Sequence, residues 1–166
     1  MATVTFSCEK CGECCRSLRK WGAGLFLTKR ETALFPSSAV SPQFALGRRG
    51  PKYEISYQLI PSTCPHLDAG NQCEIYDKRP LACQAFPFEK TLIGWQTSTF
   101  CSAIRSQMKA NALRPTQIPQ KEGQAADKLQ GYQTNMFKTY MKPRRKLWLF
   151  DLVQRKWVER GSSVTS

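Results

Sequence analysis

The stretch FSCEKCGECCR, residues 6–16, places four cysteines within eight positions, at Cys8, Cys11, Cys14 and Cys15. A hydrophobic core does not require thiols at this density. The spacing C-x2-C-x2-C-C therefore indicates either a set of disulfides or a set of ligands for a soft metal. Four more cysteines follow at wider intervals, namely Cys64, Cys73, Cys83 and Cys101.

The compartment decides between these alternatives. The chain begins Met-Ala-Thr-Val and shows no apolar segment or cleavage site of a secretory signal before Cys8. No apolar run is long enough to span a bilayer. We therefore expect a cytoplasmic protein, in a reducing environment where cysteine clusters bind metals more often than they form disulfides. Cys14 and Cys15 are also poor partners for each other, because a disulfide between neighbours strains the backbone.

Thiolates select zinc, copper(I) or iron–sulfur clusters, and the C-x2-C spacing serves both zinc and iron–sulfur sites. All eight cysteines are predicted ligands, in two neighbouring sites or in one site flanked by reserve thiols. Neighbouring residues of an extended chain point in opposite directions, so Cys14 and Cys15 can belong to different ligand sets. The preferred cofactor is an iron–sulfur cluster of the 4Fe-4S type, and zinc is the alternative. A later cysteine, Cys101 above all, could instead be a small buried residue.

The later cysteines lie in a longer pattern. Cys64-Pro-His-Leu is followed by C-x-I-Y-x-x-R-P-x-x-C-x-x-F-P, from Cys73 to Pro87. Together with residues 6–16, this order of cysteines resembles the CxxCxxCC, or YkgJ-like, cysteine cluster family of zinc- or iron-chelating proteins. The resemblance covers roughly residues 6–101. It implies a metal or iron–sulfur centre bound by these cysteines, and it implies no particular reaction.

Periodicity and turn residues predict a small α+β metal-stabilised domain, with short strands and helices around the cysteine cluster and a basic, partly helical C-terminal extension. We expect a cysteine-cluster domain over 1–102 and an extension over 103–166 that packs on it. Residues 144–160 fit a helix or a strand pair equally well. The other predicted elements are a strand within 22–27, a capping box from Thr28 to Glu31, a loop over 36–51, strands at 53–59 and 91–100, a helical turn at 81–85, and helices at 102–113 and 125–141.

The protein carries a net charge of +13, and residues 103–166 hold 13 basic and 4 acidic residues. This excess suggests an anionic partner. In the segment KPRRKLW, residues 142–148, phosphate contacts and stacking would suit RNA. The candidate contacts are Arg144, Arg145, Lys146 and Trp148. The alternative is an amphipathic segment whose tryptophans cover the metal domain.

Three functions remain open from the sequence. The first is an iron–sulfur protein that transfers electrons, or supplies a cluster, to a protein partner. The second is a zinc-stabilised module that binds RNA through the basic segment. The third is an enzyme whose cluster has an open coordination position. Common hydrolase and nucleotide-binding motifs are absent from the sequence. His66 is expected to form hydrogen bonds, and Arg79 to contact the cluster or to pair with Asp77 or Glu74.

Overall fold

The computed structural model describes residues 6–19, 23–91, 93–106, 118–140 and 145–160. The chain divides into two compact units, each assembled from two separate segments. The cysteine unit comprises Met1–Ser17 and Thr63–Tyr132, and the sheet unit comprises Leu18–Ser62 and Gln133–Ser166. All eight cysteines belong to the cysteine unit. The domain boundary after residue 102 stays a prediction.

Seven strands and four α-helices are formed by the described residues. The strands are β1 (Leu25–Leu27), β2 (Val40–Gly47), β3 (Tyr53–Leu59), β4 (Phe88–Thr91), β5 (Gly94–Thr97), β6 (Lys146–Asp151) and β7 (Lys156–Arg160). The helices are α1 (Glu13–Arg16), α2 (Leu81–Ala85), α3 (Ser102–Arg105) and α4 (Gln120–Tyr140). Short 3-10 helices occupy Glu31–Leu34, Ser37–Ala39 and Tyr76–Lys78. The α+β class predicted from the sequence is confirmed.

The sheet unit is built on a five-stranded antiparallel sheet with the strand order β1-β3-β2-β6-β7. The predicted strand over 53–59 is confirmed as β3. The capping box is also present, because the Thr28 amide and hydroxyl both donate to Glu31 Oε2, at 2.7 and 2.9 Å. The hydroxyl thus donates to the carboxylate, whereas in a standard capping box it accepts from a backbone amide.

The loop predicted over 36–51 is wrong, because β2 occupies half of this segment. Its prolines and glycines suggested irregular structure. The register of β2 against β3 shifts between Pro42 and Phe44 and again before Ala45. Proline has no amide to donate to the ladder, and such an irregularity is a place where a strand tolerates it.

The open alternative for residues 144–160 is resolved as a strand pair. β6 and β7 pair from Leu147 with Arg160 to Asp151 with Lys156. The Asp151 carboxylate closes the turn by accepting bonds of 2.8 Å from the amides of Val153 and Gln154. This local capping of the turn explains why a segment with helical spacing forms a hairpin.

A buried glutamine joins three parts of the sheet unit. Gln58 is fully buried. Its Nε2 donates to the carbonyl oxygens of Pro42, at 2.8 Å, and Phe150, at 3.0 Å, and its Oε1 accepts from the amide of Gly24 at 2.8 Å. These three partners flank β3 on both sides. Since every polar atom of the amide is bonded, its burial is compatible with a stable core.

The cysteine unit contains the β4–β5 hairpin and short helices. The predicted helical turn at 81–85 is confirmed as α2, and the strand predicted over 91–100 is shorter, as β5. The predicted helix over 125–141 is confirmed as α4, which begins earlier, at Gln120. Only the start of the helix predicted over 102–113 can be examined, as α3, because residues 107–117 lie outside the described residues.

Two small apolar clusters support these elements. In one, Ala85 of α2 packs on Ala125 and Ala126 of α4, with Trp95 and Leu129 alongside. In the other, Cys101 and Ile104 pack with the half-buried rings of Phe6 and Phe86. Of the helices that the structure describes, none combines the length and the hydropathy needed to cross a membrane.

Candidate metal centre

The first cysteine stretch turns sharply at Gly12. Its φ of 73° lies in the left-handed region, and the short helix α1 begins at the next residue. A Cβ atom at this position would lie 2.7 Å from Arg16 Nη1 and 3.3 Å from Asn71 Cβ. Only glycine can adopt this φ and also avoid these close contacts without strain. Cys14 and Cys15 therefore lie in a helical turn, and not in the extended chain that the sequence reasoning assumed.

Two sets of hydrogen bonds join this stretch to the second group of cysteines. The amide of Cys64 donates to the carbonyl oxygen of Cys15 at 2.7 Å. Arg16 donates from Nη1 to the carbonyl oxygen of Cys11 at 3.2 Å, and from Nη2 to Asn71 Oδ1. The charged fork of Arg16 thus bridges the first stretch and the turn at 68–71.

The segment from Cys64 to Cys73 folds back on itself. Leu67 forms an antiparallel bridge with Cys73, and the Glu74 amide donates to the His66 carbonyl oxygen at 2.9 Å. His66 Nδ1 lies 3.5 Å from Glu74 Oε2, consistent with the hydrogen-bonding role expected for the histidine. The hairpin places Cys64 and Cys73 near each other in space.

The third contribution comes from α2, which carries Cys83. The carbonyl oxygen of Pro80 accepts from the amides of Cys83 and Gln84, both at 2.9 Å, so the helix starts directly after the proline. Burial raises the pKa of Cys83, and the thiols of Cys64 and Cys14 add to this effect. The helix α2 thus contributes Cys83 to the set of thiols that influence one another's ionisation.

Five cysteines from three segments of the sequence therefore form one group, which we call the thiol cluster: Cys14, Cys15, Cys64, Cys73 and Cys83. Within it, Cys14 Sγ and Cys15 Sγ lie 3.9 Å apart. Burial raises the pKa of Cys64, and Cys73 and Cys14 raise it further, while the His66 backbone amide opposes the shift. The members thus disfavour each other's ionisation, as like charges do.

The thiolate of Cys14 is stabilised, in contrast to those of Cys15, Cys64 and Cys83. The hydrogen bond from Cys15 lowers the pKa of Cys14 to about 7, and the positive charge of Arg79 contributes in the same direction. The same hydrogen bond, together with burial, raises the pKa of Cys15. Of this vicinal pair, Cys14 is therefore the thiolate and Cys15 the donor.

Arg79 supplies positive charge to the thiol cluster. Its guanidinium carbon lies 3.7 Å from the centroid of the Tyr76 ring, and its Nε donates to the Tyr76 carbonyl oxygen at 2.8 Å. It opposes the rise in the pKa of Cys83 and lowers that of Cys14. Among the described residues, no ion pair joins it to Asp77 or Glu74. The positive charge of Arg79 therefore acts on the thiols of the cluster.

A second, smaller grouping joins Cys11 and Cys101. Burial raises the pKa of Cys101, the amides of Ile104 and Ala103 oppose the shift, and Cys11 and Cys14 add to it. Cys11 Sγ lies 3.3 Å from Ser102 Oγ, which also donates to Glu9 Oε2 at 3.0 Å. Cys101 is thus both a member of an apolar cluster and a neighbour of other thiols.

Sequence reasoning did not identify the residues that hold the first stretch in place. Arg105 Nη2 donates to both carboxylate oxygens of Glu13, at 3.1 and 3.0 Å. Ser102 contacts Glu9 and Cys11, as described above. The anchor residues Glu9, Cys11 and Glu13 alternate along the chain, and all contact α3. The two residues of each contact are more than 90 positions apart in the sequence, so no local sequence pattern indicates the contact.

Cys8 is not assigned to either grouping. Its side chain is exposed, and it is not a main cause of any of the pKa shifts of the other thiols. In the ranges that the structure describes, no three cysteine, histidine or carboxylate side chains are placed close enough to bind one metal ion as they stand. The assignment of all eight cysteines as ligands stays a prediction.

The chemistry of the thiol cluster fits a soft metal. It offers five sulfur donors, and neighbouring thiols raise the pKa values of Cys15, Cys64 and Cys83. A metal cation offsets the repulsion among thiolates and displaces their protons. The cysteines of the cluster are the residues that would hold the metal, with Arg79 adjacent to them.

The comparison with protein families agrees with this chemistry. The family model CxxCxxCC, "Putative zinc- or iron-chelating domain", matches residues 7–102. The chain belongs to the CxxCxxCC family, and metal binding by a cysteine cluster is the property that the family and the thiols have in common. No curated protein matches the chain. No solved structure matches it either.

The four residues predicted to contact nucleic acid have different environments. Arg144 lies outside the described residues. Lys146 pairs with Glu159 at 2.8 Å, and Trp148 Nε1 donates to the Gly47 carbonyl oxygen at 3.1 Å, so both are engaged within the sheet unit. Arg145 is exposed, and its guanidinium lies 5.9 Å from the centroid of the Tyr53 ring. Packing of the extension on the cysteine domain stays a prediction.

Proposed function

We propose that the cysteine unit binds an iron–sulfur cluster, of the 4Fe-4S type, and serves in electron transfer or in supplying the cluster to a protein partner. The observation that carries this proposal is the convergence of Cys14, Cys15, Cys64, Cys73 and Cys83 from three segments. All donors in the group are thiols, which are the ligands that iron–sulfur clusters take from proteins.

The number of thiols is sufficient for a cluster. The thiol cluster contains five cysteines, and a 4Fe-4S cluster takes four thiolates from the protein. A closed zinc site takes the same number, so metal and sulfide analysis is what separates the two.

The surroundings suit exchange with a partner. Cys14 is exposed, and Cys15, Cys64, Cys73 and Cys83 are each only partly buried. A bound cluster would supply one-electron redox chemistry. The protein's own contribution would be the positive charge of Arg79 beside Cys14 and Cys83, which stabilises thiolates and so favours ligation. A reducing cytoplasm would keep these thiols available.

Metal and sulfide analysis of the anaerobically isolated full chain tests the proposal. We expect a coloured protein that contains iron and acid-labile sulfide in equal amounts and little zinc. A colourless protein with stoichiometric zinc and no iron overturns it in favour of a zinc-stabilised module. Electron transfer and cluster supply are then distinguished by what happens to the bound cluster. Electron transfer predicts reversible reduction with the cluster retained, whereas supply predicts transfer of iron and sulfide to an apo acceptor.

A further inference from the structure

The positive charge of the protein lies almost entirely in the sheet unit. This unit contains 15 Lys and Arg residues and 4 Asp and Glu residues, a net charge of +11. The cysteine unit contains 10 and 8, a net charge of +2. The excess therefore does not arise from the metal-binding part of the chain. Such a concentration of one sign attracts polyanions over long range.

Part of this charge is presented by the connection between β2 and β3. Arg48, Arg49 and Lys52 are all exposed there. The connection is fixed, because the Lys52 amide donates to the Leu46 carbonyl oxygen at 3.0 Å and Trp148 Nε1 donates to that of Gly47. A Cβ at Gly47 would lie 1.7 Å from the Gly50 carbonyl oxygen, so the loop folds closely on itself. The three cations are thus displayed on an ordered turn.

An exposed aromatic ring lies beside these cations. Tyr53, the first residue of β3, is 53% exposed. Lys52 Nζ lies 5.4 Å and Arg145 Cζ 5.9 Å from the centroid of its ring. The cations come from two distant segments, because β2 pairs with both β3 and β6. An exposed ring with cations close to it is the arrangement that stacks a nucleobase and holds its phosphates.

These cations are available to a ligand. Within the described residues, the ion pairs are His66–Glu74, Lys90–Asp127, Arg105–Glu13 and Lys146–Glu159. None of them involves Arg48, Arg49, Lys52 or Arg145. An exposed cation without a carboxylate partner can contact a phosphate without first breaking an ion pair.

We propose that Arg48, Arg49, Lys52, Tyr53 and Arg145, the hairpin surface, bind single-stranded nucleic acid. One base stacks on Tyr53, and the phosphates on either side contact the cations. An anionic membrane would satisfy the charges equally, but it offers no planar base, so the ring distinguishes the two partners. The proposal rests on the sheet unit alone and does not depend on which metal the cysteine unit binds.

The test is fluorescence anisotropy of a labelled single-stranded RNA oligonucleotide with the full chain, as isolated with its metal, over a series of salt concentrations. The affinity should fall with salt, with a slope of about −0.7 per phosphate contact. The double variant Arg48→Gln/Arg49→Gln should reduce the slope by about 1.4. Tyr53→Leu should weaken binding by about 5- to 150-fold, and Tyr53→Phe should bind as the natural protein does.

A matched control removes the same charge elsewhere in the sheet unit. Arg155 and Lys156 are exposed at the β6–β7 turn, at the end of β6 opposite Lys146. The double variant Arg155→Gln/Lys156→Gln should leave the salt slope unchanged. Equal thermal midpoints of all variants show that the fold is retained. If Tyr53→Leu does not fold, the difference in salt slope between the two charge variants tests the proposal.

Several results overturn the proposal. Absence of salt-sensitive RNA binding does so directly. An equal loss of slope in both charge variants means that the net charge, and not the hairpin surface, attracts the polyanion. If a folded Tyr53→Leu variant binds RNA with full affinity, no base stacks on Tyr53. Tighter binding to phosphatidylserine vesicles than to RNA, unaffected by Tyr53→Leu, assigns the surface to a membrane instead.

Discussion

The amide of Cys64 donates a hydrogen bond of 2.7 Å to the carbonyl oxygen of Cys15. This bond connects the first group of cysteines directly to the second. It belongs to the backbone, so it does not require a bound metal. The alignment of the two groups is therefore a property of the fold, to which Gly12 and Arg16 contribute from the same turn.

Substitution of Gly12 should disturb this alignment. Gly12→Ala places a side chain at a φ of 73°, where an L-residue costs roughly 1–2 kcal/mol. The new methyl group would also approach Asn71 Cβ and Leu67 Cδ1 to 3.3 Å. We expect the free energy of unfolding to fall by about 1–2 kcal/mol and the metal content per chain to fall with it. Urea unfolding and metal analysis measure the two effects.

Gly131→Ala is the matched control for this substitution. Gly131 lies in α4, and a Cβ there meets nothing within 4 Å. Alanine should raise the free energy of unfolding by about 0.5–1 kcal/mol, because it is the better helix former. The role of Gly12 is refuted if Gly12→Ala is as stable and as metal-rich as the natural protein.

Removal of single thiols should separate the members of the thiol cluster from Cys8. Cys64→Ser and Cys83→Ser each delete a thiolate donor from the group, and serine does not replace it as a soft ligand. We expect both variants to lose most of their metal, whereas Cys8→Ser, at an exposed position, retains it. Metal per chain after anaerobic isolation is the measurement. Equal loss in the Cys8→Ser variant would support the eight-ligand arrangement instead.

The metal-free protein should show one thiol that reacts near neutrality. The hydrogen bond from Cys15 lowers the pKa of Cys14 from 9.0 to about 7, so its nucleophilic thiolate becomes abundant at a pH where Cys15, Cys64 and Cys83, whose pKa values are raised, are protonated. Ionised Cys14 should stabilise the fold fully above pH 9.0, and this contribution should be lost as the pH falls through about 7. Peptide mapping after iodoacetamide treatment should give a midpoint near pH 7 for Cys14. A midpoint near 9 would contradict the assignment.

Neutralisation of Arg79 should shift this midpoint upward. The positive charge of Arg79 lowers the pKa of Cys14, after the larger effect of the Cys15 hydrogen bond. In the metal-free Arg79→Gln variant, alkylation of Cys14 should therefore require a higher pH. Arg79→Lys keeps the charge and should stay closer to the natural protein, although lysine loses the stacking on Tyr76. An unchanged midpoint in Arg79→Gln would show that the charge does not reach Cys14.

Loss of the buried amide of Gln58 should destabilise the sheet unit. Gln58→Leu leaves the Pro42 and Phe150 carbonyl oxygens and the Gly24 amide without this partner. The three partner groups are only partly buried, and each lost hydrogen bond costs about 0.5–1.5 kcal/mol, so we expect a loss of roughly 1.5–4.5 kcal/mol in the free energy of unfolding. Gln96→Leu, at an exposed position of β5, is the control and should change little. Equal stability of the two variants would contradict the structural role of Gln58.

Elements with a strong local signal were predicted well from the sequence. The strand β3 alternates apolar and polar residues, and α4 repeats large apolar side chains at helical spacing. The capping box at Thr28 involves residues only three positions apart. Each of these patterns reports a contact within one segment, so neighbouring residues suffice to reveal it.

Elements that depend on distant partners were predicted poorly. β2 contains Pro42 and reads as a loop, yet it forms ladders with both β3 and β6. The spacing of β6 also fits a helix, and its ladder with β2, about 100 positions earlier, is not visible in that spacing. Propensity is a weak signal for such strands, because cross-strand packing determines their stability.

The sequence by itself determined the chemistry of the candidate site, because the donor atom is a property of each side chain: eight thiols at these spacings indicate a soft metal wherever the chain places them. Only the tertiary structure decided which thiols meet. It groups Cys14 and Cys15 with Cys64, Cys73 and Cys83, and it directs Arg79 at them. It likewise brings Arg145 to Tyr53 through the pairing of β6 with β2. These juxtapositions arise from hydrogen bonds between distant segments, which spacing along the chain does not encode.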